Sequence, residues 1–388
     1  MKYNLDEKID RCNTNSLKWE FMNILTDKSD KDTIPMWVAD MDFACPPPVV
    51  DAIKERVDRL IFGYSSHETP EYLGAVCGWF KKRFDWDVDP KDVFACSGVV
   101  PALNNLVRAL TKKGEGVIIQ RPVYYPFTTV ITQNDRVVVN NSLISNEGYY
   151  SIDFDDLERK AKEKNNTMMI LCSPHNPVGR VWNENELKKI GQICLDNDVT
   201  LISDEVHFDL LRKGKKHIVI TTLFEQTDKI IVCTAPSKTF NLAGFNSSSI
   251  IIKNKEQKKR WKKEVGMLML NPLAIVATTA AYTKCDEWLD EVCCYIDENM
   301  RYIDEFIKEN MLKAKSIISE GTYLVWIDLN GYGFSAKELE EKMISEANVL
   351  FDMGDMFGKE GEGFIRINVA CPKSTVVECM DRIFRSLE

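Results

Sequence analysis

Ala235-Pro236-Ser237-Lys238-Thr239-Phe240-Asn241-Leu242-Ala243-Gly244 follows the apolar run Ile230-Ile231-Val232-Cys233. A run of this kind, bounded by turn residues, reads as a buried strand. A lysine just past it, amid Pro, Ser and Thr, falls on a loop at the strand's carboxyl end. Open α/β sheets place their ligands at that edge. Lys238 is therefore a candidate for holding an aldehyde group covalently through its amine. The competing reading is a solvated loop lysine, and the rest of the chain decides between them.

Working outward, apolar runs at residues 93–96, 116–119, 136–140, 167–172, 199–203, 229–233 and 248–252 read as strands. Helical spacing marks 49–60 (Val50, Ile53, Val57, Leu60), 101–110 and 183–196 (Leu187, Ile190, Ile193, Cys194). Strands alternating with helices imply a mostly parallel sheet covered on both faces. The proline run Pro46-Pro47-Pro48 cannot be interior helix or central strand, so it opens a new segment. After about residue 288 the pattern changes to a long helix (Ile296, Met300, Ile303, Phe306, Ile307), strands near 323–329 and 364–369, and a last helix (Val376, Met380, Ile383, Leu387). The expected organisation is a large α/β domain over 49–288 with a seven-stranded, mostly parallel sheet. A smaller α+β domain is expected from 1–48 and 289–388 together.

Composition excludes several classes. The net charge of −9 argues against a general nucleic-acid binder. No apolar run approaches the roughly 20 residues that span a bilayer. Residues 1–8 lack the apolar stretch of a signal peptide. The 12 cysteines are scattered, with no C-x-x-C pair. Scattered thiols of this kind suggest free, buried cysteines in a reducing cytoplasm. His67, His175, His207 and His217 are not at ligand spacing with them, so no metal site is expected. The basic run 253–263 reads as a solvated helix face.

Other strand ends carry polar groups too. Ser173-Pro174-His175-Asn176 follows one strand, Asp204-Glu205-Val206-His207 a second, and Ser97-Gly98-Val99-Val100-Pro101 a third. An acid such as Asp204, at the end of an apolar strand, is costly to bury without a cationic or proton-donating partner. A pyridinium nitrogen would serve, as would a structural salt bridge. Glycine followed by free amides and a helix start makes an anion site suited to phosphate. Tyr124, in Pro122-Val123-Tyr124-Tyr125-Pro126, can stack on a flat ring. A lysine, an acid, a phosphate cradle, a stacking ring and an amide-bearing loop are the parts that hold pyridoxal 5'-phosphate.

The order of these parts resembles the fold-type I aminotransferase superfamily of classes I and II over nearly the whole chain. Within it, the resemblance is to the MalY/PatB group of cystathionine β-lyase-like C–S lyases. Four segments carry it: Ile34 to Phe43 (IPMWVADMDF), Phe62-Gly63-Tyr64, Ala235 to Gly244, and Gly363 to Pro372 (GFIRINVACP). The resemblance implies that Lys238 bonds the cofactor aldehyde and Asp204 pairs with the ring nitrogen. It implies that Asn176 bonds the phenolic oxygen and Tyr124 stacks on the ring. His207 stands where relatives commonly carry a tyrosine that bonds the phenolic oxygen. The Val99 and Val100 amides with the Ser237 hydroxyl would take the phosphate. Arg366 would clamp the α-carboxylate of an amino-acid substrate, with Asn176 nearby and Ala39 or Asp40 lining the pocket. Tyr64 would reach the phosphate of a neighbouring subunit, which implies a homodimer with shared active sites. Many aminotransferases place a phosphate-binding arginine eight residues after the lysine, where this chain has Asn246. The implied activity is α,β-elimination from cystathionine, cysteine or a related S-substituted cysteine, giving pyruvate, ammonia and a thiol. Two other readings stay open: an aminotransferase, and a regulatory role through protein binding.

Overall fold

Alternate residues of each apolar run pack into two different cores, and that is why the runs form a sheet rather than helices. The computed structural model describes residues 2–225, 227–316 and 318–388. Its main sheet has seven strands: β1 (Val93–Cys96), β2 (Gly116–Ile119), β3 (Val137–Asn140), β4 (Asn166–Cys172), β5 (Thr200–Asp204), β6 (Ile230–Thr234) and β7 (Ser248–Ile251). Their order is β1-β7-β6-β5-β4-β2-β3, mostly parallel, with β7 antiparallel to both neighbours. Ile118, Met169, Leu171, Leu201 and Val232 face one core, together with Tyr72, Trp79 and Phe80 of helix Pro70–Phe84. Val117, Ile119, Met168, Ile170, Ile202 and Ile231 face the other, against Leu103, Leu106 and Val107 of helix Val99–Leu110.

This topology brings the chemistry to one edge. Cys172, Asp204 and Cys233 lie side by side in register at the carboxyl ends of β4, β5 and β6. Because β7 runs the other way, the residues leading into it, Asn246 and Ser247, arrive at that same edge.

A second sheet of four antiparallel strands follows: β8 (Lys315–Ser316), β9 (Leu324–Asp328), β10 (Asp352–Met353) and β11 (Phe364–Asn368), in the order β8-β9-β11-β10. Helices Asp286–Asn310 and Lys373–Leu387 accompany it. Asn299 Nδ2 donates to the Val369 and Cys371 carbonyls at 3.0 and 2.9 Å, fastening the long helix to the end of β11. Ile34–Pro35 pairs in parallel with Val349–Leu350, so an early segment joins the late part of the chain.

Several expectations need correction. The helix after β1 begins at Val99, two residues before the expected start. Gly98 takes φ +117°, a region L side chains avoid, and turns the chain so that Val99 and Val100 form the first helical turn. Lys238, expected on a loop, sits in the single-turn helix Pro236–Thr239, which Pro236 starts with its fixed φ. Pro47 and Pro48 are themselves the first turn of helix Pro47–Asp58. All 12 cysteines are free, but Cys12 and Cys294 are exposed rather than buried. The basic run forms helix Lys255–Val265, which turns Trp261 inward. Helices Pro70–Phe84, Pro126–Thr132, Phe154–Ala161 and Pro272–Lys284, and the hairpin Ile144–Asn146/Tyr149–Ser151, add to the elements read from sequence.

Candidate active site

One cavity at the carboxyl edge is lined by Ala39, Val99, Val100, Tyr124, Asn176, Asp204, His207, Ser237 and Lys238, all of them picked from sequence. Ser97, Gly98, Cys172, Val206, Asn246 and Ser247 complete most of its wall. The Val99–Leu110 helix points its amino terminus into the cavity, where its first amides have no partner within the helix. Ser237 and Asn246 stand at the same cavity, so the anion site has a helix end and polar side chains but no arginine among its lining residues.

Asp204 is 4% exposed. Among the described residues, its carboxylate accepts one hydrogen bond, from the Val206 amide at 3.2 Å, and no side chain donates to it. Burial pushes its pKa up to about 7, against its ordinary 3.8. A buried acid without a cationic partner is destabilising unless a ligand supplies one. The ring nitrogen of a pyridinium fits this position.

Burial lowers the Lys238 amine to about 8, with Asp40 and Asp204 opposing the shift and Arg366 adding to it. Its Nζ donates to the Ala39 carbonyl at 2.8 Å. Tyr323 donates to the same oxygen at 2.7 Å. An amine poised near neutrality can condense with an aldehyde and later move a proton. His207 is buried, its Nδ1 unpartnered, and burial holds its pKa well below the ordinary value, so the ring is neutral with one N–H to offer. Tyr323 stands edge-on to it at 5.9 Å.

Arg366 lies on β11 and is 2% exposed. It donates to Asn176 Oδ1 at 3.1 Å and to the Trp37 carbonyl at 2.8 Å, and it forms an ion pair with Asp352. Asp352 sits directly across from it in the β10–β11 ladder. The strand pairing of the second sheet thus brings a prepaid guanidinium beside the amide-bearing loop of the first. Its Nε has no partner among the described residues.

Three of the sequence-picked residues do not line the cavity: Arg366, which reaches it through Asn176, and Asp40 and Tyr64, which lie apart. Asp40 borders an adjoining cleft, its carboxylate gripped by both Nη atoms of Arg11 at 3.0 and 2.7 Å. Tyr64 is 97% exposed, in a segment where Leu60, Ile61 and Phe62 are exposed as well. Asp352, Tyr323 and Cys172 were missed. A short strand carrying a buried acid gives no hint of its partner, because the Asp352–Arg366 contact exists only once β10 and β11 pair. Among the described residues no group of three or more acids, histidines or cysteines is arranged to hold a metal ion.

A mostly parallel seven-stranded sheet with a lysine and an unpaired buried acid at its carboxyl edge matches the fold-type I class of pyridoxal-phosphate architectures. The aminotransferase class I and II family model matches residues 31–383. Cystathionine β-lyase PatB of Bacillus subtilis is 39% identical over 388 residues, covering 99% of this chain and 100% of that one. Cystalysin from Treponema denticola, whose crystal structure contains pyridoxal 5'-phosphate, is 42% identical with a TM-score of 0.97, covering 100% of this chain and 99% of that one. A pyridoxal-phosphate-bound C–S lyase from Staphylococcus hominis is 38% identical with a TM-score of 0.94, covering 100% and 98%. The chain belongs to the aminotransferase class I and II family.

Proposed function

We propose that this chain is a pyridoxal-phosphate-dependent C–S β-lyase that cleaves cystathionine, cysteine or related S-substituted cysteines to pyruvate, ammonia and a thiol. The observation that carries the reading is the buried Asp204 carboxylate, which among the described residues has no ion pair and no side-chain hydrogen bond, in the same cavity as Lys238. The names of the similar proteins, PatB, cystalysin and the C–S lyase, direct the choice among reactions of the family.

When bound, the cofactor supplies an electron sink for the bonds at the substrate's Cα. The chain's own residues do the rest. The Lys238 amine, free near pH 8, takes the Cα proton. Asp204 would pair with the protonated ring nitrogen and be held ionised by that contact. His207 and Asn176 would offer N–H groups to the phenolic oxygen, and Tyr124 would stack on the ring. Arg366, steadied by Asp352, would receive the α-carboxylate. The Val99 and Val100 amides with Ser237 receive the phosphate.

We also assign a homodimer in which Tyr64 completes the neighbour's phosphate site. Its nearly full exposure, beside exposed Leu60, Ile61 and Phe62, supports this. The free cysteines support a cytoplasmic setting, and no helix among the described residues is long and apolar enough to cross a membrane. The proposed division keeps 49–288 as the large domain, with 1–48 and 289–388 as the small one.

The test is whether cysteine alone, with no 2-oxo acid, yields pyruvate and sulfide. A strict need for an oxo-acid acceptor would give the site to the aminotransferase reading.

A further inference from the structure

A second cleft opens from the cofactor cavity and shares Ala39, Lys238 and Ala243 with it. Its apolar walls are Ile9, Leu17, Val38, Met41 and Phe43. Besides Lys238, three charged residues line it, and all three are already matched. Arg11 grips Asp40 through both Nη atoms and reaches Asp42 Oδ1 at 2.7 Å. The buried Lys18 takes Asp42 Oδ2 at 2.6 Å, and Trp19 Nε1 takes Oδ1 at 3.0 Å. Two cations thus neutralise two carboxylates, and the backbone from Val38 to Phe43 is tied down on both sides. Asn368 donates to the Val38 and Asp40 carbonyls at 2.7 and 2.6 Å, and Asn241 donates to the Met41 carbonyl at 2.9 Å.

Arg366 and Asn176 take the substrate carboxylate, and the helix at Val99 with Ser237 takes the phosphate end of the cofactor. The second cleft adjoins the cavity at Lys238, Ala39 and Ala243. It lies beside the Cα that Lys238 must reach and gives the group on the sulfur a place to lie. There it meets apolar side chains and no unpaired charge. An uncharged alkyl or aryl group gains from contact with those walls. The ammonium and carboxylate at the far end of cystathionine would lose water and find no free partner.

We propose that this cleft is the leaving-group subsite, and that it selects cysteines with an uncharged apolar S-substituent over those whose substituent ends in charge. The proposal rests on the lyase reading and narrows its substrate class. Such selection works through transition-state discrimination by the pocket.

The experiment gives the holoenzyme S-methyl-, S-ethyl-, S-propyl- and S-butyl-L-cysteine beside cystathionine. It measures kcat/KM by pyruvate release, and Kd by the change in cofactor absorption on mixing. Each added methylene should raise kcat/KM about fourfold, the value of burying one such group. S-butylcysteine should exceed cystathionine at least tenfold in both measures. Leu17→Asp, a change at the half-exposed rim, should cut the butyl-to-methyl ratio at least threefold. Equal use of cystathionine and S-butylcysteine, or a ratio unmoved by Leu17→Asp, overturns the proposal and leaves the lyase reading standing. Absence of pyruvate from every substrate refutes the lyase reading instead. The Kd order then decides the subsite by itself: a rise with chain length supports it and a flat series overturns it.

Discussion

Replacing Asp204 with asparagine should stabilise the cofactor-free protein and destabilise the cofactor-bound one. The Asp204 carboxyl has an ordinary pKa of 3.8 and is raised by burial to about 7. The folded state therefore binds a proton that the unfolded state has released, throughout the window between those values. In that window stability falls as pH rises, and above about pH 7 the full penalty is present. The span between the two values corresponds to about 4 kcal/mol at its upper bound. Between pH 5.5 and 8 the penalty grows by about 2 kcal/mol. Asparagine has no proton to lose, so Asp204→Asn should gain about 2 kcal/mol relative to wild type over that interval. Denaturant unfolding of the cofactor-free proteins at the two pH values reads this difference directly. With saturating pyridoxal phosphate the sign should reverse, because the pyridinium gives the wild-type carboxylate the partner it lacks. A variant that is less stable than wild type at pH 8 without cofactor, or a difference that does not change with pH, would refute the reasoning.

The other predictions follow from single contacts. Borohydride reduction with pyridoxal phosphate should place the pyridoxyl group on Lys238, with the labelling rate rising through about pH 8 as the buried amine deprotonates; a label on another lysine would remove Lys238 from the mechanism. Asp352→Ala strips the buried Arg366 of its counter-charge and should cost about 3–5 kcal/mol in unfolding experiments at pH 7; an unchanged midpoint would mean that the pair does not hold the guanidinium. Mixing Tyr64→Phe with Lys238→Ala subunits should restore activity above the sum of the parents, because a hybrid with Tyr64 acting in trans has one site free of both lesions. No rise, with hybrids confirmed by mass, would count against a shared site.

The parts of the site legible in the sequence are those set by short-range rules. Lys238, Asp204 and Asn176 each lie within a few residues of a strand's carboxyl end, and a parallel sheet aligns such ends without further information. The helix start proposed as the phosphate cradle was legible as a glycine before a helix. Its start was misjudged by two residues because Pro101 looked like the first helical position, while Gly98 with φ +117° permits an earlier turn. Arg366 could be named only by resemblance, since nothing local links residue 366 to a cavity built around residue 204. Asp352 was illegible for the same reason: its role exists only in the β10–β11 pairing. Asp40 looked like a pocket acid, but Arg11, 29 residues earlier, takes its carboxylate. Helix Pro70–Phe84 carried its own signal, a Thr69 cap followed by Pro70 and apolar residues at 72, 75, 76, 79 and 80. The alternation of strands and helices defines the fold without it, and its apolar face instead fills the core under the sheet.

The central claim is that the carbon–sulfur bond breaks at this site without an amino-group acceptor. Its most direct test is a product count from cystathionine with pyridoxal phosphate and no 2-oxo acid. The account predicts pyruvate, ammonia and homocysteine in a 1:1:1 ratio over many turnovers, each turnover leaving the cofactor in its starting form. Turnover that stops after about one equivalent and resumes only when a 2-oxo acid is added, with a new amino acid as product, would contradict it.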